Sequence, residues 1–259
     1  MTSMMDDFAV RKLDLGRVAS QTFTVLGRQP VTIFGLALLL GGLPAALNLY
    51  YASQALVGGG AAALTQFTTF GYWLRIIAQL FVGAFLGASL FYVAFSEVSG
   101  RKATFGEIVT NGAKLFLPLF AVNFMSAVAI VIGCFLLIVP GLMLAVAWCV
   151  AGPALVAERT GITQVFGRSA ELTRGNRWRI FGLVLIFLVV VAIIQGVVSA
   201  IFGVAGGVGA LLSPARLIIS GVIAIFTTAI TYTGLAVLYA NLRELKEGLG
   251  HESLAAVFD

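Results

Sequence analysis

The sequence predicts an all-α protein: a polytopic membrane helix bundle of about six transmembrane helices. Two observations carry this. Of 259 residues, 60% are hydrophobic and only 10% are charged, whereas a soluble domain carries about a quarter of its residues charged. The apolar residues also come in continuous blocks, and about 20 in a row suffice to cross a bilayer as a helix. In lipid only helices or closed barrels satisfy their own backbone. Barrel strands would alternate in polarity, so the unbroken runs select helices.

The spans fall at roughly 30–52, 72–97, 116–139, 140–158, 178–203 and 215–241. The first apolar run starts at Val31, after a mixed leader, and reads as an uncleaved span rather than a signal peptide. Pro140-Gly141 is a turn signal that splits one long apolar stretch into a hairpin. The segment 53–71, with Gly58-Gly59-Gly60, and the segment 204–214, with Gly206-Gly207, read as uncharged flexible loops. One side of this topology collects 14 of the 16 Lys and Arg residues; only Arg75 and Arg216 lie on the other. Basic residues mark the cytoplasmic side of short loops. The expected location is therefore a bacterial inner membrane, multi-pass, with both termini cytoplasmic.

The chain reads as one integral membrane domain with a threefold internal repeat. The segment Leu15-Gly16-Arg17-Val18 to Phe34-Gly35-Leu36 aligns without gaps on Ile162-Thr163-Gln164-Val165 to Phe181-Gly182-Leu183, at a constant offset of 147. A third, shorter copy begins at Phe105-Gly106-Glu107-Ile108. Each unit (about 14–100, 104–158 and 161–242) is an amphipathic helix followed by a helical hairpin, with 243–259 as a cytoplasmic tail. Phe105, Ile108, Val109, Gly112, Ala113 and Phe116 keep the spacing of one helical face. Thr104 with Glu107 is a capping-box signature. Such helices either sink their apolar faces into the headgroup boundary or pack onto the ends of the bundle.

The stretch Val139-Pro140-Gly141-Leu142, then Gly152-Pro153-Ala154-Leu155, then Arg168-Ser169-Ala170-Glu171-Leu172-Thr173-Arg174-Gly175-Asn176-Arg177-Trp178-Arg179 resembles YciC-like bacterial membrane proteins. It is similar also to the membrane domain joined to some glycerophosphoryl diester phosphodiesterases. The resemblance implies the helical architecture. It does not imply the phosphodiesterase activity, which needs several histidines and a soluble barrel, whereas this chain has one histidine, His251.

The sharpest local feature is Thr173 to Arg179. Gly175 suits a left-handed helix end and Asn176 suits an N-cap. Arg174, Arg177 and Arg179 beside Trp178 then stand at headgroup level. They form a candidate lipid-headgroup site, since guanidinium pairs with phosphate in bidentate fashion; equally, they serve as topology anchors. Gly83 and Gly87 make a GxxxG face for close helix packing within the chain or between copies. Pro153 should kink or end the fourth span.

Polar residues inside the spans are modest, among them Asn48, Gln79, Asn123, Gln195 and Thr228, and no charge lies near mid-membrane. That weighs against ion-coupled transport. Glu97 and Glu158, at span ends, read as solvated or paired with Arg101 and Arg159. Cys134 and Cys149 read as small core residues. No phosphate loop, dinucleotide fingerprint or zinc spacing is present, so no cofactor, no metal and no catalytic residue is expected. The basic balance follows from topology rather than from nucleic acid. The expected function is non-enzymatic, in membrane organisation or lipid homeostasis through contact with membrane lipids, in particular anionic phospholipid. The alternative is a transporter or lipid carrier with a site between the hairpins, near Asn123, Gln195 or Thr228.

Overall fold

The computed structural model describes residues 13–57, 68–210 and 213–247. The described residues form helices and no strand. In chain order these are α1 (Leu15–Arg28), α2 (Pro30–Leu36), α3 (Leu43–Val57), α4 (Phe70–Val98), α5 (Phe105–Leu136), α6 (Ile138–Ala147), α7 (Ala151–Glu158), α8 (Gln164–Thr173), α9 (Arg177–Ala210) and α10 (Pro214–Glu247). A π-helical stretch, Ala37–Gly42, joins α2 to α3. Six segments are long and apolar enough to cross a membrane: Pro30–Tyr51, Phe70–Val98, Phe105–Leu136, Ile138–Glu158, Arg177–Val204 and Pro214–Glu247.

The packed core lies toward one end of this bundle. Burial in α4 runs from Ala84 to Glu97, in α10 it is concentrated between Ala229 and Leu242, and α7 is buried along nearly its whole length. Tyr239 and Phe95 meet there edge to face, with centroids 5.6 Å apart. The far halves of the spans instead turn apolar side chains outward. Only 6% of the most apolar window of α9 is buried, as suits side chains that face lipid rather than water.

The amphipathic helices cap this core. Asp14 begins α1 by accepting from the backbone N–H of Gly16 and Arg17 at 2.9 and 3.2 Å. The inward face of α1 buries Val18, Thr22, Val25 and Leu26, and the helix leans on α10. There Arg17 pairs with Glu244 at 3.1 Å, and Asn241 donates to Gln21 at 2.7 Å. Likewise α8 buries Val165, Ser169, Leu172 and Thr173.

The middle unit departs from expectation: residues 105–116 are not a separate interfacial helix but the first turns of α5, which runs unbroken through Pro118 to Leu136. Its start carries the anticipated capping box. Glu107 N–H donates to Thr104 Oγ1 at 3.4 Å, and Thr104 N–H donates to the Glu107 carboxylate at 2.8 Å. Thr104→Ala is expected to cost about 1 kcal/mol, read as a lower midpoint of SDS-induced unfolding in mixed micelles.

Several boundaries differ from those read off the sequence. The hairpin turn is not at Pro140-Gly141. The chain reverses at Leu137, which is extended (φ −158°, ψ 132°), and α6 has already begun at Ile138. Pro140 therefore sits in the first helical turn, where its missing N–H costs nothing. Gly141 is instead a close approach: a Cβ there would lie 2.5 Å from the Cys134 backbone nitrogen. The fourth span breaks at residues 148–150, between α6 and α7, and Pro153 occupies the first turn of α7. A proline ring clashes with the carbonyl four residues back, here that of Cys149, which places the break.

Residues 204–210, read as loop, belong to α9. The supposed tail from 243 is helical through Glu247. The remaining tail, His251 and Gly58-Gly59-Gly60 fall outside the described residues. Of the GxxxG pair, Gly87 packs closely within the chain, a Cβ there lying 2.8 Å from Tyr232 Cε1, whereas a Cβ on Gly83, whose carbonyl accepts from the Tyr232 hydroxyl at 3.2 Å, would meet nothing within 4 Å.

Candidate lipid-contact site

The arginine-rich segment between α8 and α9 is built on a tight turn. Thr173 C=O accepts from Asn176 N–H at 3.0 Å. Between them Arg174 has φ −60° and ψ 128°, and Gly175 has φ 90°. These are type II turn angles, and the positive φ at the third position favours glycine. The turn is held against α6 from one side. Ala147, the last residue of α6, has a carbonyl that the helix break leaves without an intrahelical partner. Ser169 Oγ donates to it at 2.8 Å, and Thr173 Oγ1, whose shorter bond is to the Ser169 carbonyl at 3.0 Å, lies 3.3 Å from it. The Ser169 hydroxyl of α8 thus ties the turn beside the fourth span.

The three arginines do not act together. Arg179 Nη1 donates to the carbonyl of Leu13 at 2.8 Å, and the N–H of that same fully buried residue donates to Asn176 Oδ1 at 3.1 Å. The Leu13 peptide is therefore clasped from both sides. Arg179, which is exposed, uses one donor to tie the start of the first unit to the third, and the Asn176 side chain is taken by Leu13 rather than capping α9. Its backbone carbonyl alone accepts the first helical bond, from Ile180 at 3.0 Å.

Arg174, Arg177 and Trp178 do converge. With Phe181 they line an open groove of about 380 Å³. The opposite wall is apolar: Val139, Leu142, Met143 and Val146 of α6. Arg177 is half-buried and donates to the Ala170 carbonyl at 3.3 Å, near the C-terminal end of α8, where a cation is favoured. Arg174 is exposed and Trp178 is 85% exposed, its ring set edge to face against Phe181. The arrangement is chemically amphipathic, with two arginines lining a groove otherwise walled largely by aliphatic carbon. The α6 wall had no sequence signal beyond hydrophobicity, because only the fold brings residues 139–146 beside 174–181.

A second polar assembly lies at the charged end of the bundle. Glu158 does not pair with Arg159 as expected. It receives both bonds of Arg168 Nε, at 2.9 and 3.1 Å, and the Tyr239 hydroxyl at 2.7 Å. Arg168 also meets Glu247, which accepts from Arg243 at 2.8 Å. Burial works against the Arg168 charge, but hydrogen bonds and attraction from Glu247 and Glu158 outweigh it and raise its pKa. Arg159 instead reaches Asn111 at 3.5 Å. Glu97 accepts from Gln29, and Arg101 pairs with Glu107 at 2.8 Å.

The mid-depth polar residues form no shared site with these cavities. Asn123 is exposed, Gln195 and Thr228 are half-buried, and none lines the groove or the smaller cavity beside Glu97. Among the described residues no cluster of His, Cys, Asp or Glu could hold a metal ion.

Fold and site together define a multi-pass helical membrane protein with a polar, packed end and outward-facing apolar spans. Residues 13–245 match the model of a domain of unknown function, DUF7847, and the chain belongs to that family. Comparison with curated proteins and with solved structures gave no match.

Proposed function

We propose that this protein is a non-enzymatic inner-membrane protein that engages anionic phospholipid and serves membrane organisation or lipid homeostasis. The observation that carries the reading is the groove of Arg174, Arg177 and Trp178 facing the aliphatic wall of α6. A phosphate held by two guanidinium groups with an acyl chain in the trench satisfies both halves of that surface. The exposed Trp178 suits the level where headgroups meet acyl chains. The 14-to-2 partition of basic residues supports an orientation with both termini and this groove at the cytoplasmic leaflet.

The test is lipid binding by the purified protein, measured by native mass spectrometry with phosphatidylglycerol and phosphatidylcholine of identical chains. Wild type is expected to prefer phosphatidylglycerol, and Arg174→Gln with Arg177→Gln to reduce that preference about tenfold. Arg179→Gln is expected to leave the preference intact while lowering stability, since it holds Leu13. Equal binding of the two lipids by wild type, or a double variant that behaves like wild type, sinks the proposal.

A further inference from the structure

Where α1 meets α4 and α10 there is a second cavity, of about 200 Å³, separate from the arginine groove. Its polar lining is Gln21, Thr24 and Arg28 of α1 and Glu97 of α4, with Val237 and Ala240 of α10 closing it. Glu97 is only 4% exposed. Its carboxyl accepts a single hydrogen bond, from Gln29 Nε2, and meets no cation among the described residues. Arg101, four residues on, is turned to Glu107. Arg28 lines the same cavity without an acidic partner among the described residues. Two opposite charges thus border one small space and do not satisfy each other.

A carboxylate offers about four acceptor positions, and burying one without a counter-charge is costly. Glu97 is the penultimate residue of α4, and a carboxylate buried there without a cation leaves acceptor positions for a ligand to fill. We propose that this cavity binds a small head that joins a primary ammonium to a phosphate, the ammonium on Glu97 and the phosphate on Arg28. The neighbours fit that polarity. Thr24 Oγ1 donates to the Ser20 carbonyl and so keeps acceptor lone pairs, while Gln21 Oε1 is taken by Asn241, which leaves its amide N–H donors.

The lining also sets a preference. No aromatic ring lines the cavity among the described residues, so it lacks the cage that holds a quaternary ammonium. A primary ammonium, with three N–H donors, answers Glu97 better. The volume lies below the roughly 300 Å³ at which drug-sized pockets begin. That suits a headgroup rather than a whole lipid. The same chemistry comes from two sources, the head of phosphatidylethanolamine or free phosphoethanolamine.

The experiment measures binding of dioleoyl phosphatidylethanolamine and dioleoyl phosphatidylcholine by native mass spectrometry, and of free phosphoethanolamine by calorimetry, to the purified full chain. Wild type is expected to prefer the ethanolamine lipid about tenfold. Glu97→Gln should abolish that preference. Arg28→Gln, at an exposed position, should weaken both lipids without threatening the fold. The Arg174→Gln, Arg177→Gln double variant should leave the preference unchanged, which separates this cavity from the groove. Binding of free phosphoethanolamine that is lost in Glu97→Gln assigns a soluble source, and binding of the lipid alone assigns the headgroup. Equal binding of both lipids with no uptake of free phosphoethanolamine overturns the proposal, as does a full preference in Glu97→Gln or unaltered binding in Arg28→Gln.

Discussion

Replacing Arg168 with alanine is expected to destabilise the protein by about 2–3 kcal/mol, the larger cost among the polar substitutions. Arg168 joins three elements: Glu158 ends α7, Glu247 ends α10, and Arg168 itself lies in α8. The side chains of Arg168, Glu158 and Glu247 are 22%, 16% and 24% exposed. Removing one partner of a fully buried pair costs about 3–5 kcal/mol, because a charge is stranded away from water; the residual exposure here reduces that figure. Glu158 would keep the Tyr239 hydroxyl and Glu247 would keep Arg243, so neither carboxylate is left bare. They would nonetheless face each other without the cation between them. Arg168→Lys should recover only part of the loss, because a single ammonium cannot place donors on Glu158 and Glu247 at once as Nε and Nη2 of the planar guanidinium do. The raised pKa of Arg168 keeps it charged at any ordinary pH, so the bridge does not switch off through loss of the arginine proton. The measurement is the midpoint of SDS-induced unfolding, together with proteolysis near residues 243–247, which should quicken as the end of α10 loosens. An Arg168→Ala protein within about 0.5 kcal/mol of wild type, the range of ordinary surface changes, rules the bridge out as a structural tie.

The helical architecture was legible because bilayer thickness acts on sequence directly: an apolar run of sufficient length has few alternatives. Local punctuation was harder to read, since the same residues mean different things in lipid and in water. Pro140 signals a turn in a soluble chain, yet in the first turn of a helix it is neutral, and the true reversal fell on Leu137, which carries no turn signature. The glycines between 203 and 209 suggest a loop, but α9 stays helical through them; a span gains by keeping its backbone bonds internal where water is scarce. Side-chain partnerships were the least legible. Arg179 meets Leu13 across 166 residues, and Glu158 meets Tyr239 across 81, so no short-range pattern could announce them. For the same reason three adjacent arginines looked like one site, although the fold aims one of them at the opposite end of the chain.

The second large effect is expected at Gly141, where α6 lies against α5. A Cβ added there would collide with Cys134 Sγ and stand 2.5 Å from Cys134 N and 2.8 Å from Cys134 Cα. Two of those three atoms are backbone, so no rotamer change relieves the clash and the helices must part. Gly133 faces Gly141 from the other helix, its own added Cβ lying 3.0 Å from Gly141 Cα, so the contact has no slack on either side. Overpacking in a well-packed interior costs about 1–3 kcal/mol, and the upper end is expected for Gly141→Ala because backbone has to move. Gly141→Val should abolish folded yield. Gly83→Ala is the control: it lies mid-helix where an added Cβ would meet nothing within 4 Å, so alanine there should be neutral or stabilising by up to about 1 kcal/mol. Cys134→Ala removes the sulfur but not the nitrogen, and should therefore fail to rescue Gly141→Ala. The same displacement would move Leu142 and Met143, which wall the arginine groove, so anionic-lipid preference should fall along with stability. If Gly141→Ala and Gly83→Ala unfold at the same midpoint, α5 and α6 do not pack this closely, and the groove loses the wall on which its lipid-binding geometry depends.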